Sequence, residues 1–372
     1  MKIAIFHNFL DNIGGAEIVA LTLTRELKAD LYTTNIAKDK IIQMGYGDVT
    51  GRIFSIGRIP KQAPGRQQLA LFKFRQLNLK GKYDFFIIAG DWSMSGVVNN
   101  HPNLWYVHSP LNELWEFTGY IKKNLLNFWK KPLFDLFVTF NRWLTKRYAR
   151  SVDNWVCNSS NTKKRIAKYY KQDATIIYPP VDINKHYYQG NEKYWLSVNR
   201  LATHKKIELQ LDAFKLLPDK KLVIVGSYEK GVRQFENYKK LLEANKPANV
   251  EIKHWVGEEE LLKLYSNCSG FITTSENEDF GMNVIEAMAS GKPVIAPNDG
   301  GYKESIINNE TGHLIDELDG KKLKNKILEI EHKLNINPLH YQAICQKQSQ
   351  KFSQEIFIDK IKIILNNFKK DE

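Results

Sequence analysis

Cysteine is scarce: the 372 residues hold three, Cys157, Cys268 and Cys345, in unrelated surroundings. That excludes a disulfide framework and a Cys/His zinc motif, and the expectation is a reducing, cytoplasmic compartment. His7, His101, His108, His186 and His204 are scattered without metal-ligand spacing, and no Asp-x-Asp is present to hold a metal diphosphate. Neither a G-x-S-x-G elbow nor a Cys/His nucleophile signature occurs. No apolar run approaches the roughly twenty residues of a membrane-spanning helix. The opening stretch Lys2 to Asn8 reads as a strand rather than as a secretory signal. Acidic residues are missing from one long stretch, since residues 51–82 carry eight Lys and Arg and no Asp or Glu.

What is present is an uneven charge. The net +13 falls wholly on residues 1–181, which hold 26 basic and 13 acidic side chains, whereas residues 182–372 hold 28 of each. Residues 121–150 add eight basic residues against Asp135 alone, interleaved with Phe128, Trp129, Leu133, Phe134, Phe137, Phe140, Trp143 and Leu144. Two readings of that run stay open. Either its apolar side packs into a core and its charges are solvated, or the run contacts an anionic membrane surface.

Apolar runs alternate with amphipathic ones along the whole chain. Ile3–His7, Asp30–Thr34, Phe85–Ala89, Trp105–His108, Asn154–Cys157 and Thr175–Tyr178 read as strands, with helices at Ala16–Leu27 and Ser160–Tyr170. The pattern breaks at Tyr178-Pro179-Pro180 and restarts. Strands then follow at Tyr194–Val198, Lys221–Val225, Val250–His254, Gly270–Thr274, Pro293–Ala296 and His313–Ile315, with helices at Ile207–Leu216, Glu258–Ser266 and Met282–Ser290. Such alternation predicts an α/β protein of two doubly wound, Rossmann-like domains, 1–181 and 182–350. Residues 351–372 close the chain with an amphipathic helix.

The densest chemistry lies between the strand at Gly270 and the strand at Pro293. Glu278 and Glu286 are separated by seven residues, the first in a loop and the second in the following helix. Between them, the amides of Phe280, Gly281, Met282 and Asn283 gather at a helix N-terminus, where unpaired N–H groups and the helix dipole suit a phosphate. Carboxylates beside a phosphate cradle suit the hydroxyls of a sugar nucleotide. The bland alternative makes Glu286 an exposed helix residue and Glu278 a capping acid.

This segment resembles the E-x7-E motif of retaining glycosyltransferases of the GT-B fold, group 1 (family 4). The Phe280-Gly281 pair, the run Glu286-Ala287-Met288-Ala289-Ser290-Gly291-Lys292-Pro293-Val294, and Gly300-Gly301 with Glu304 carry the likeness. The resemblance implies two domains facing across a cleft, a terminal helix returning to the N-terminal domain, and hexose transfer without a metal or other cofactor. It also assigns residues. Arg200 and Lys205 follow the strand at Tyr194 with the family's spacing, although Asn199 stands where the family has Gly, and they would clamp the donor diphosphate; Lys206 is an alternative to Lys205. Glu278 would hold the sugar ring and Glu286 the ribose. Gly14 and Gly15 would approach the donor phosphate, with Glu17 and Asp91 on the acceptor side. His108, in Tyr106-Val107-His108-Ser109-Pro110, would contact the transferred sugar. The family often has Arg after that Pro, and Leu111-Asn112-Glu113 departs from it.

The local text looks most like mannosyltransferases of bacterial surface-polysaccharide assembly, which implies GDP-mannose as donor and a lipid-linked saccharide as acceptor. A UDP-hexose donor, or a sugar-nucleotide binder without catalysis, are the alternatives. A nucleic-acid partner would account for the basic half but not for the E-x7-E segment. With peripheral attachment, the inner face of the cytoplasmic membrane is the expected location.

Overall fold

Strands covered by helices on both faces are buried throughout, and their sequences are continuous apolar runs rather than alternating ones. Phe85, Phe86, Ile87 and Ile88 are all fully buried, as are Ala4, Ile5 and Phe6. The structure, a computed structural model, describes residues 1–61, 65–111, 114–124, 126–227, 233–254 and 256–370. These residues form two compact units, Met1–Tyr178 with the segment from Ile358 onward, and Pro179–Phe357.

In the first unit β1 (Ile3–Phe6), β2 (Asp30–Thr33), β3 (Ile53–Ser55), β4 (Phe85–Ile88), β5 (Asn103–Val107), β6 (Asn154–Cys157) and β7 (Thr175–Ile176) pair in the order β3-β2-β1-β4-β5-β6-β7. All neighbours are parallel. The second unit holds β8 (Tyr194–Arg200), β9 (Lys221–Ser227), β10 (Val250–Lys253), β11 (Gly270–Ile272), β12 (Val294–Pro297) and β13 (Gly312–Ile315), again parallel, in the order β10-β9-β8-β11-β12-β13. Both are Rossmann-like sheets. Strand order reverses between β1 and β4 in one and between β8 and β11 in the other. Connections leave such a switch point toward opposite faces, which opens a crevice beyond the carboxyl ends of the two strands.

Most elements lie within two residues of the sequence reading. The helix Ser160–Tyr170 starts where expected because the Ser159 hydroxyl accepts from the Thr162 amide at 3.1 Å. The helix after Glu278 begins at Met282, where the sequence reading puts it, with Gly281 as its cap. The closing helix Gln354–Lys370 buries Ile358, Ile361 and Leu365 at helical spacing, and its Phe368 ring meets Phe85 at 5.0 Å. No helix of the described residues is long and apolar enough to cross a membrane.

One buried base makes the second unit sensitive to acid. His186 is 9% exposed, its Nδ1 lies 3.3 Å from Ser290 Oγ, and its ring stands edge-on to Tyr265. Desolvation, with Lys185 alongside, pushes its pKa down to about 3. The unfolded imidazole takes its proton near the ordinary value of about 6.5, so stability is lost as pH falls below that value. His186→Asn, whose amide can still donate to Ser290, should flatten the acid limb of a thermal-unfolding series by up to about 1.4 kcal/mol per pH unit. An unchanged limb would show that the folded protein protonates His186 without cost.

Candidate active site

The second switch point is where the charged residues of the E-x7-E region converge. β8 ends in Asn199 and Arg200, and a short 3-10 turn, Thr203–Lys205, carries Lys205 back toward the loop that follows β11. The turn is pinned to that loop, since Thr274 Oγ1 donates to the Lys205 carbonyl at 2.7 Å and accepts from Gln210 Nε2 at 3.0 Å. Lys205 Nζ then donates to Glu278 Oε2 at 2.6 Å, both side chains being largely buried. Burial alone would raise the pKa of Glu278. The charge and hydrogen bond of Lys205, with the Ser275 hydroxyl, override it and hold the carboxyl below the usual range. Arg200 is exposed beside this pair, and its charge, like that of Lys205, acts on His204. Lys206 is engaged elsewhere, with Glu276.

Glycine shapes the loop around Glu278. Gly281 has φ +86°, and a Cβ there would stand 2.6 Å from Cε1 of Tyr302. Gly300, at φ +57°, presses on the Glu278 backbone, where a side chain would strike the carbonyl oxygen. The Gly301 amide donates to that carbonyl at 2.9 Å, and Asp299 accepts from the amides of Asn277 and Gly300 at 2.6 and 2.7 Å. This bracing holds Glu278 next to the first turn of the helix Met282–Ala289, whose leading amides have no carbonyl within their own helix.

Three donor-site candidates have side chains already committed. Asn283 Nδ2 donates to the Val198 carbonyl at 2.8 Å and Asn199 Nδ2 to Ser197 Oγ at 2.6 Å, while Phe280 is buried against Phe352. Phe280 and Asn283 therefore offer only their backbones to a ligand. Glu286, one turn into the helix, accepts from the Tyr265 hydroxyl at 2.8 Å. Burial pushes its pKa up, against that hydrogen bond and the charge of Lys185. Tyr265, and Tyr302 whose hydroxyl lies 2.8 Å from Thr273 Oγ1, carry no sequence signal. Among the described residues no group of three or more His, Cys, Asp or Glu is placed to hold a metal ion.

The first unit has its own cluster at its switch point. His7 follows β1, and Ala89, Gly90 and Asp91 follow β4. The Ala89 carbonyl accepts from two imidazoles, His7 Nδ1 at 3.1 Å and His108 Nε2 at 2.9 Å. A carbonyl can only accept, so His108 carries its proton on Nε2 and presents Nδ1 as an acceptor. Burial, then the neighbouring His7, pushes the pKa of His108 down to about 3, and His7 is lowered by burial as well. Gly14 caps the helix Gly15–Glu26 in extended conformation, and Glu17 in its first turn acts on His7. His7 was legible as the end of a strand, but its pairing with His108 needed the strand order. Asn112 and Glu113, the departure after Pro110, lie outside the described residues.

Comparisons with known proteins agree with this layout. The family model for glycosyl transferases group 1 matches residues 180–348, and that for glycosyltransferase family 4 matches residues 13–185. The chain is 27% identical over 278 residues to the alpha-1,3/1,6-mannosyltransferase ALG2 of Dictyostelium discoideum, covering 63% of each. It is 29% identical over 252 residues to the Xenopus laevis GDP-Man:Man(3)GlcNAc(2)-PP-Dol alpha-1,2-mannosyltransferase, covering 60% of this chain and 49% of that one. It thus spans less than two-thirds of the length of either relative. Among solved structures, Anabaena Alr3699/HepE in complex with UDP-glucose superposes with TM-score 0.74 at 17% identity, covering 99% of this chain and all of that one. Sucrose-phosphate synthase from Thermosynechococcus elongatus gives TM-score 0.77 at 18% identity and 99% of both chains, so the fold is the GT-B class.

The Lys205–Glu278 pair can be tested without a ligand. Lys205→Ala leaves a charged carboxylate without its cation and should cost about 1–3 kcal/mol of stability at neutral pH. Glu278→Gln in the same chain should recover part of that loss. Because the pKa of Glu278 is depressed in the folded state, the pair's contribution is full above the ordinary carboxylate value and fades as pH falls through the folded one. The cost of Lys205→Ala should fade likewise. Strict additivity of the two substitutions at neutral pH would mean that the side chains do not interact.

Proposed function

The chain belongs to the group 1, family 4 glycosyltransferases, and on that ground we propose that it moves a hexose from a nucleotide diphosphate to a hydroxyl acceptor. The observation that carries the proposal is the Lys205–Glu278 pair held beside the N-terminus of the helix Met282–Ala289 at the β8/β11 switch point. In this reading the diphosphate lies against the amides of that first turn and the Arg200 guanidinium, both of which answer charge that grows as the bond to the sugar breaks. Glu278, kept ionised by Lys205, accepts hydrogen bonds from the hexose. Glu286, fixed by Tyr265, accepts them from the ribose. Neutral His108 is suited to accept from a hydroxyl through Nδ1. Transfer proceeds with retention by front-face attack, the leaving diphosphate oxygen taking the acceptor proton, and no protein nucleophile is assigned. Arg200 and the amides of that first turn supply the positive charge that a metal provides in other transferases, so the reaction is proposed to be metal-independent.

We further propose mannose from GDP-mannose as the donor and a lipid-linked saccharide as the acceptor. The names of the curated relatives support this: two are mannosyltransferases, one naming GDP-Man and a PP-Dol-linked glycan. The solved neighbours named with UDP share only the fold at their low identity. The setting would be the cytoplasmic face of a membrane, in keeping with three buried free thiols and with a first unit that holds the surplus positive charge.

Incubating the protein with GDP-mannose or UDP-glucose, with and without a lipid extract, and measuring released nucleoside diphosphate tests the reading. Release from GDP-mannose, stimulated by the extract and unaffected by excess EDTA, is expected. Preference for UDP-glucose would replace the donor, and tight binding without release would indicate a sensor. Arg200→Ala, at an exposed position that should leave the fold intact, is expected to lower turnover by roughly a hundredfold or more. Wild-type turnover in that variant would remove Arg200 from the mechanism.

His108 gives the pH dependence a sign. With its pKa at about 3, the imidazole stays neutral throughout the working range. Turnover should therefore show no acid limb from His108 between about pH 5 and pH 8, where an ordinary histidine would titrate. An acid limb near pH 6.5 that His108→Gln abolishes would mean that the side chain is solvated and titrates normally.

A further inference from the structure

The helix Lys131–Ala149 carries large apolar side chains on its outward side as well as on the side that packs on the core. Its fully buried positions are Val138, Asn141, Thr145 and Ala149, two of them polar, and they recur every three or four residues along its inner face. Phe134, Phe137 and Tyr148 pack, partly buried, against the core, but four other large apolar side chains point outward. Leu133, Leu136, Phe140 and Trp143, spaced by three, four and three, are 55–70% exposed. Phe128 and Trp129, just before the helix, extend this surface at 82% and 62%. The inner-face polar groups are satisfied within the unit: Asn141 Nδ2 donates to the Phe137 carbonyl and Thr145 Oγ1 to the Asn141 carbonyl, each at 2.8 Å. The inner side is thus fully engaged within the unit, and the outward apolar stripe is left uncovered. A contiguous apolar surface of this kind is uncommon on a protein that meets only water.

What covers it is indicated by the charge around it. Lys122, Lys123, Lys130, Lys146, Arg147 and Arg150 flank the apolar stripe along the chain, and the one carboxylate of residues 121–150, Asp135, is paired with Lys122 at 2.8 Å. Two cations lie against the exposed rings themselves, Lys130 Nζ 4.9 Å from the Trp129 ring and the Arg147 guanidinium 5.8 Å from the Trp143 ring. A second copy of the chain meeting this face with the same face would bring like charges together. A bilayer carrying anionic headgroups offers the complement to both features, hydrocarbon for the stripe and negative charge for its rim.

We propose that the outward face of the helix Lys131–Ala149, with Phe128 and Trp129, is a membrane-seating surface that lies in the headgroup zone of an anionic bilayer. The helix lies along the bilayer and does not cross it. The inference rests on the proposed transfer to a lipid-linked acceptor only for its purpose, which is to bring the first unit to the plane where such an acceptor resides. It differs from attraction by basic charge alone, because seating buries Leu136, Phe140 and Trp143 and so leaves a component of binding that salt does not screen.

The experiment is co-sedimentation of the full chain, without any nucleotide sugar, on phosphatidylcholine vesicles with and without phosphatidylglycerol, at low and high salt. Wild-type protein is expected to bind the phosphatidylglycerol vesicles and to keep part of that binding at high salt. Leu136→Ser/Phe140→Ser/Trp143→Ser, at positions that contribute little to the core, should keep the wild-type melting temperature and lose the salt-resistant part by at least about tenfold. Lys122→Glu/Lys123→Glu/Lys130→Glu/Lys131→Glu should lose chiefly the salt-sensitive part. Equal binding by the triple-serine variant and the wild type overturns the proposal. So does light scattering that finds a wild-type dimer which the triple-serine substitution converts to monomer, since the face would then be a contact between copies. Release of nucleoside diphosphate from the donor in vesicle-free solution, measured in parallel, reports the transferase reading separately. A protein that turns over donor but ignores vesicles contradicts the seating surface alone.

Discussion

A carboxylate taken out of bulk water stays charged only where a cation or hydrogen-bond donors offset its lost hydration, and the site in the second unit is organised around that requirement. Glu278 and Lys205 come from segments 73 residues apart and meet because β8 and β11 are neighbours in the sheet. The surrounding features keep them in place. Thr274 pins the Lys205 turn, Asp299 gathers two loop amides, and Gly300 and Gly301 let the following segment press against the Glu278 backbone. With Lys205 occupied by Glu278, Arg200 is the cation of the pair that remains exposed to a ligand. The sequence presented Arg200 and Lys205 as equivalent clamps. In the folded chain they divide the work, one setting the state of a carboxylate and the other facing solvent.

The parts of the fold that can be read from sequence are those with a local cause. Buried parallel strands announce themselves as runs such as Phe85-Phe86-Ile87-Ile88, and a capped helix such as Ser160–Tyr170 carries its start signal in Ser159. β3 gave no such signal: it is a three-residue edge strand with two of its residues exposed. The site was legible in part for the same reason. Glu278, Glu286 and the helix start between them lie within nine residues of chain. The pairing of Lys205 with Glu278, the sharing of the Ala89 carbonyl by His7 and His108, and the support of Glu286 by Tyr265 all depend on which strands are neighbours. Spacing along the chain does not contain that information.

The basic stretch 121–150 shows the limit from the other side. Its composition was compatible with an ordinary core helix or with a surface that meets something, because both need apolar residues at helical intervals. The choice turned on which face was buried. Val138, Phe134 and Phe137 pack toward the core, Asn141 and Thr145 are buried with bonds to carbonyls of their own helix, and Phe140 and Trp143 lie outside. A hydrophobic pattern thus does not by itself say which way a helix faces.

The central claim is that a preformed ion pair beside a helix N-terminus receives the nucleotide sugar, and a structure of the second unit's site with GDP-mannose bound tests it most directly. The account predicts the diphosphate on the amides of Met282 and Asn283 and on Arg200, the hexose against Glu278, and the Lys205–Glu278 bond intact. A diphosphate bound by Lys205 with that pair broken, or one seated away from the β8/β11 switch point, would contradict it.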